Sequence, residues 1–177
     1  MNDKYTVYEG KYLRLCIEGH WEYVERTHAG SAVIVIARTP DDTLLFVEQF
    51  RIPLGRKTIE MPAGLVGDQD AEDTFEKAAK RELLEETGWQ AETVEVLMVG
   101  PSSAGMSNEM IAFARATGLT RVHSGGGDET EDIIVHENPL AEAAQWLTQK
   151  MAEGYSMDPK LWAGLWLLDR NPDGSLR

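Results

Sequence analysis

The residues with the clearest chemical potential lie in Arg81-Glu82-Leu83-Leu84-Glu85-Glu86-Thr87-Gly88. The pattern predicts a helix over 71–87, with Gly88 stopping it as a C-cap glycine does. At about 100° of rotation per residue, Glu82 and Glu86 fall within about 20° of Phe75, between Ala78 and Ala79, while Leu84 points the opposite way. Two carboxylates therefore share the face that a phenylalanine and two alanines mark for covering. An uncompensated buried carboxylate is costly, so this pair calls for a cation between them or for protonation. A hard cation such as Mg²⁺ prefers such oxygen sites and binds phosphates at the same time. The competing reading is a solvated acidic helix supported by pairs such as Arg81–Glu85 at i, i+4.

Other residues fit the same chemistry. Residues 43–51 read as a strand whose odd positions, Leu45, Val47, Gln49 and Arg51, share one face. A guanidinium at the end of that face suits a phosphate, which it matches bidentately; a dimer-interface ion pair is the other reading. Glu129 and Glu131 share strand parity with Ile133 and Val135 and follow the Gly125-Gly126-Gly127 cluster. Inward carboxylates on a loop of this kind suit a general base that arrives with substrate, although an acidic turn has the same composition. The four histidines have no metal-like spacing.

Strands are expected at 12–17, 21–27, 31–38, 43–51, 92–99, 109–116 and 129–136, with closing helices at 139–153 and 159–170. Residues 61–64, Met-Pro-Ala-Gly, break the strand pattern. Strands early, one central helix and helices last make an α+β pattern rather than a repeating βα alternation. Apolar positions on the two last helices, among them Trp146, Leu147, Leu161 and Trp166, read as core or dimer contact.

The stretch from Gly67 to Trp89 resembles the Nudix box, G-x5-E-x7-R-E-U-x-E-E-x-G-U. Residues Arg81 to Gly88 match every defined position of its second half, and Gly67 matches the opening glycine. Asp73 stands where the box has its first glutamate, and Trp89 where an aliphatic is usual. Val47-Glu48-Gln49-Phe50-Arg51, Glu60-Met61-Pro62-Ala63-Gly64-Leu65-Val66 and Trp21-Glu22-Tyr23-Val24-Glu25-Arg26-Thr27 look like runs of the ADP-ribose pyrophosphatase and nucleoside diphosphate sugar hydrolase branch. So does Asp128 to Ile133. Gly64 lies three residues before the box glycine, so the acidic loop is lengthened. Sixteen residues after Gly88, Ala104 replaces the proline of ADP-ribose enzymes, which favours a broader nucleotide-sugar specificity.

The resemblance implies a Nudix fold, mixed sheets packed between helices as an α/β/α sandwich. An N-terminal β extension (1–30) would precede the hydrolase domain (31–177). It also implies a Mg²⁺ site, with Mn²⁺ as an alternative ion, held by the Ala63 carbonyl, Glu82 and Glu86. Glu85 would be a further ligand or act through water, and Arg81 would orient it. Glu129 is preferred as base and Glu131 as supporting acid. Trp21 would stack on the base, Glu22 contact the base edge, Arg51 bind phosphate or ribose, and Glu109 touch the terminal sugar or metal water. Relatives are homodimers whose N-terminal strands complete the partner's site, and the same is expected here. The alternatives are a Nudix hydrolase of dinucleoside polyphosphates or NADH, and a non-catalytic ADP-ribose sensor.

Composition bounds these readings. The 177 residues carry 17 Lys and Arg against 30 Asp and Glu, a net charge of −13. That argues against nucleic acid or an anionic membrane as partner, because both need clustered cations. The longest purely apolar run, 32–37, is far too short to span a bilayer. No signal peptide is visible, and the single Cys16 fits a reducing, cytoplasmic setting. For the base, Glu129→Gln is expected to lower kcat far more than KM, since a base acts in the transition state. Steady-state kinetics showing Glu131→Gln to be the more damaging change would reverse the order of the two.

Overall fold

A computed structural model describes residues 3–68, 70, 72–127 and 132–177. The first strands, β1 (Lys4–Glu9), β2 (Leu13–Glu18) and β3 (Trp21–Arg26), form a small antiparallel sheet of their own. All six residues of β1 are exposed, so the strand buries no apolar face within the chain, which is why periodicity does not reveal it.

The main body holds two four-stranded sheets. One runs β7 (Ala63–Val66), β4 (Ser31–Ala37), β9 (Met110–Arg121), β8 (Trp89–Pro101). The other runs β10 (Ile134–Pro139), β5 (Thr43–Arg51), β6 (Arg56–Glu60), β11 (Ser156–Met157). Strand β4 is covered on both sides, as its β-branched run implies. Its odd positions Val33 and Val35 pack with Ala78, Ala79 and Leu83 of α1 (Phe75–Thr87). Its even positions Ile34 and Ile36 pack with Phe46 of β5, Leu147 of α2 (Leu140–Ala152) and Leu161 of α3 (Lys160–Leu167). The sheets thus lie between α1 on one side and α2 with α3 on the other. Trp162 and Trp166 remain exposed, outside that core. Among the described residues no helix is long and apolar enough to cross a membrane.

Several elements differ from the sequence expectation. Helix α1 begins at Phe75 rather than 71, because the Thr74 hydroxyl accepts the Lys77 N–H and caps it there. The 61–64 run does not end strand structure. Ala63–Val66 forms β7, paired antiparallel with β4 through Ile34↔Ala63 and Val33↔Gly64. Pro62, the residue that suggested a break, lies just outside the strand, and its carbonyl accepts the Val35 N–H at 2.7 Å. Strands β8 and β9 are longer than expected and pair along their full length. His136 packs on Trp146 and meets the buried Glu48 at 2.9 Å, and Glu48 also binds Lys57 at 2.6 Å.

Gly88 caps α1 with φ at 75°. A Cβ there would stand 2.1 Å from the His123 carbonyl oxygen. Gly88→Ala therefore combines a left-handed backbone with a backbone clash. Unfolding in urea should show a loss of about 2 kcal/mol or more; an unchanged midpoint would refute the packing argument.

Candidate active site

Helix α1 presents its carboxylates to the short strand β7. Glu86 is 2% exposed, and its Oε2 accepts the Ala63 N–H at 3.0 Å. Glu82 lies one turn earlier under Gly64. A Cβ at Gly64 would stand 1.8 Å from the Glu82 Cδ, so only glycine leaves room for that carboxyl. Burial pushes the Glu82 carboxyl up to about 7, against the opposing pull of the Arg81 guanidinium.

Arg81 is a hub. It donates to Glu82 Oε1 at 2.7 Å, to the Leu65 carbonyl at 3.0 Å and to Asp73 Oδ2 at 3.3 Å. Asp68 and Glu85 each lie 3.6 Å away. Its closest partner is thus Glu82 rather than Glu85, and it ties the acidic loop to the helix. Asp73, the departure at the first acidic position of the box, still supplies a carboxylate to this arginine.

These groups line a cleft of about 360 Å³. Ala63, Gly64, Glu82, Glu85 and Glu86 form one wall, and Ala32, Gln49, Arg51 and Arg26 also line it. Arg51 is aligned by a bidentate pair with Glu60, at 2.8 and 2.5 Å. Arg26, at the end of β3, is a cleft residue that the sequence reading did not single out. The available signal was alternation: Glu22, Val24 and Arg26 share one face of β3 and Trp21, Tyr23 and Glu25 the other. Arg26 is held by a short ion pair with Glu109, which joins the N-terminal sheet to the start of β9.

The other candidates stand apart within the chain. Trp21 is half-exposed and lines a separate cavity of about 540 Å³ with His20, Tyr23 and Ala104. Glu22 is exposed and, one residue on, belongs to the opposite strand face. Glu109 lines a third cavity, of about 300 Å³, beside Arg26 and Asn108. One chain therefore does not bring Trp21, Glu22 and Glu109 to the carboxylate cleft, whereas Arg51 does reach it. Glu129 and Glu131 lie outside the described residues. The glycine segment before them is anchored on the last turn of α1, with the Gly126 N–H donating to the Glu86 carbonyl at 2.8 Å and the Gly127 N–H to the Glu85 carbonyl at 3.2 Å.

Among the described residues no group of three His, Cys, Asp or Glu side chains stands ready-made as a metal cage. The donor chemistry nevertheless suits a hard divalent ion. Glu82, Glu85, Glu86 and Ala63 line one cleft, and a buried carboxyl that favours its proton is one that a cation would relieve.

Residues 28–164 match the family model described as the NUDIX domain. The chain belongs to the Nudix family. It is 39% identical over 124 residues to a methanol dehydrogenase activator of Bacillus methanolicus, covering 70% of this chain and 65% of that protein. It is 37% identical over 115 residues to an ADP-ribose pyrophosphatase of Mycobacterium tuberculosis (64% and 55% covered). A GDP-mannose pyrophosphatase of Pectobacterium atrosepticum is 35% identical over 120 residues (63% and 60% covered). The matched segments thus span less than two thirds of these relatives. A crystal structure described as an ADP compounds hydrolase superposes with a TM-score of 0.72 at 19% identity, covering 94% of this chain and 89% of that one. The Nudix architecture, α+β with mixed sheets between helices, is shared with it.

The state of Glu82 gives a pH signature for this Nudix cleft. Its folded pKa lies above the unfolded value of 4.5, so the folded state binds the extra proton between the two. Stability in metal-free buffer therefore falls as pH rises from 4.5 to about 7. Glu82→Gln removes this loss. At pH 8 without metal the variant should be more stable by about 2 kcal/mol after allowance for solvent screening, and the gain should vanish toward pH 4. Thermal melts at the two pH values check it; a pH-independent difference would contradict the burial argument.

Proposed function

We propose that the chain is a Mg²⁺-dependent pyrophosphohydrolase of nucleoside diphosphate sugars, ADP-ribose among them, releasing a nucleoside monophosphate and a sugar phosphate. The observation that carries this reading is the convergence of Glu82, Glu85 and Glu86 with two arginines, Arg26 and Arg51, on one cleft. A diphosphate needs its charge offset before a nucleophile can approach, and needs a base nearby. Mg²⁺, or Mn²⁺ in its place, would be held by Glu82, Glu86 and the Ala63 carbonyl, with Glu85 as a further ligand or acting through water. When bound it would offset phosphate charge and polarise a phosphoryl oxygen.

The chain's own groups do the rest. Arg51 and Arg26 grip the phosphates. Arg81 fixes Glu82 and the acidic loop. Glu129 takes the proton of the attacking water and Glu131 supports it, on the segment that follows the glycines hydrogen-bonded to the last turn of α1. Trp21 stacks on the base with Glu22 at its edge, and Glu109 positions Arg26 and contacts the substrate beyond it. Because Trp21 and the cleft lie apart in one chain, the reading includes a homodimer in which the N-terminal strands (1–30) of one copy complete the site of the other's hydrolase domain (31–177). The buried free Cys16 is in keeping with work in the cytoplasm.

The likeness to a methanol dehydrogenase activator supports a second reading, in which the domain acts on a partner enzyme. One panel separates them: ADP-ribose, ADP-glucose, GDP-mannose, UDP-glucose, dinucleotides and triphosphates with Mg²⁺, scored by nucleoside monophosphate released. ADP-ribose should yield AMP and ribose 5-phosphate, with other nucleotide sugars at comparable kcat/KM. Glu86→Gln should cut turnover by about a hundredfold or more while the fold survives. Selectivity above about a thousandfold, worth about 4 kcal/mol, would contradict broad specificity. Activity on triphosphates alone would remove the assignment, and binding without turnover would favour the second reading.

A further inference from the structure

The backbone carbonyls of a helix's last turn have no partner inside the helix. In α1 the Gly88 N–H meets the Leu84 carbonyl, which leaves those of Glu85, Glu86 and Thr87. Two of the three belong to residues whose side chains line the cleft. These two are met from outside the helix, the Glu86 carbonyl by the Gly126 N–H at 2.8 Å and the Glu85 carbonyl by the Gly127 N–H at 3.2 Å. Gly125, with φ at 73°, lies so close that a Cβ on it would stand 2.4 Å from the Thr87 carbonyl carbon. The Val122 and His123 N–H groups both donate to the Gly88 carbonyl, at 2.8 and 3.2 Å. Residues 122–127 thus form a strap seated on the end of α1.

The groups that seat the strap lie outside the cleft. Trp89 opens β8 and is the register partner of Arg121, the last residue of β9. The Arg121 guanidinium lies 5.6 Å from the Trp89 ring, and its Nε donates to the His123 carbonyl at 3.1 Å. It also makes a short ion pair with Glu137 of β10. Glu137 accepts the Trp89 indole N–H as well, at 3.3 Å. Trp89 is buried, and a buried indole N–H needs such an acceptor. Strands β8 and β9 belong to one sheet and β10 to the other, so Glu137 bridges the sheets where the strap leaves β9. His123 continues the chain of contacts, because its Nδ1 accepts the Gly125 N–H at 3.0 Å. Neither Trp89, Arg121 nor Glu137 lines the cleft.

We infer that Glu137 is a positioning residue: through Trp89 and Arg121 it seats the 122–127 strap on the end of α1, and so holds the backbone of Glu85 and Glu86 for a cation. The inference rests on the metal-dependent reading above. A part-exposed ion pair adds little stability of its own. Its effect here is geometric, since a last turn without partners for its carbonyls frays and lets both carboxylates swing.

The test is Glu137→Ala, which removes the acceptor shared by Trp89 and Arg121, with Glu137→Gln as the conservative control that keeps an acceptor oxygen. Trp89→Phe, which keeps a ring beside Arg121 and removes the donor, is the second variant. Amide hydrogen exchange without metal should show protection of Gly126 and Gly127 falling about tenfold in Glu137→Ala, while the Val35 amide of the core keeps its protection. Binding of Mn²⁺, followed by electron paramagnetic resonance, should weaken about tenfold. Both effects should be largely reversed in Glu137→Gln and recur in Trp89→Phe. Unchanged protection at the two glycines, an equal loss at Val35, or unchanged Mn²⁺ affinity in a chain whose strap has loosened would each overturn the inference. Should the unsubstituted chain bind no Mn²⁺, the metal reading fails and the positioning role with it. Mn²⁺ binding that follows the variants as expected, without turnover of any nucleotide sugar, would support the positioning role while the hydrolase reading fails by itself.

Discussion

The hydrogen bond from the Ala63 N–H to the buried Glu86 carboxylate joins the two elements on which everything else depends. It draws α1 against β7, and β7 is already fixed by its ladder to β4 and by the Pro62 carbonyl on the Val35 N–H. Close approach is possible because the covered face of α1 carries Ala78 and Ala79 and because Gly64 has no side chain. The same approach leaves Glu82 little water and raises its affinity for a proton. The charge chemistry of the cleft is thus a consequence of core packing: a looser helix would hydrate Glu82 and lose the driving force for taking up a cation.

An acidic chain faces an electrostatic difficulty with a polyanionic ligand, since the net charge of −13 repels it at long range. The structure meets this locally. Each cation at the cleft is tied to a particular carboxylate: Arg26 to Glu109, Arg51 to Glu60, Arg81 to Glu82 and Asp73. Such pairs contribute modestly to stability when part-exposed. Their larger effect is geometric: Glu109 and Glu60 hold Arg26 and Arg51 away from the carboxylates a metal would need, while Arg81 pairs with one of those carboxylates, Glu82, itself. Arg51 and Arg26 border the cleft, and Arg81 ties the acidic loop to the helix.

What could be read from the residues follows from which information is local. Helix α1 was legible because its period, its C-cap and its paired glutamates all lie within a few turns. Strand β4 was legible because a continuous β-branched run implies cover on both sides. Strand β7 was not, since Pro62 and Gly64 read as breakers, and only the tertiary position of Glu82 explains why glycine is required inside a strand. Arg26 escaped notice because its neighbours in sequence suggest an ordinary exposed strand; its place in the cleft depends on Glu109, far away in the chain.

Neighbouring residues of strand β3 reach different spaces: Glu25 borders the Trp21 cavity and Arg26 the carboxylate cleft, and both border the small cavity beside Glu109. Glu25 and Arg26 are consecutive and therefore face opposite ways. Glu25, buried and held by Lys4 and Arg14, accepts from Asn108, while Arg26 pairs with Glu109. Lys4 in particular keeps the Glu25 carboxyl below its usual range. Two adjacent strand residues thus grip two adjacent loop residues from opposite sides, and the Val24 N–H bonds the Met106 carbonyl between them. The loop carrying Ala104 is fixed by both grips, yet Ala104 itself borders the Trp21 cavity and not the carboxylate cleft. A change at position 104 therefore reshapes the wall around Trp21 without passing through the carboxylates of α1, whereas a change at 109 acts on Arg26 and so on the cleft. The alternation of one short strand separates the wall around Trp21 from the charged groups at Glu82 and Glu86.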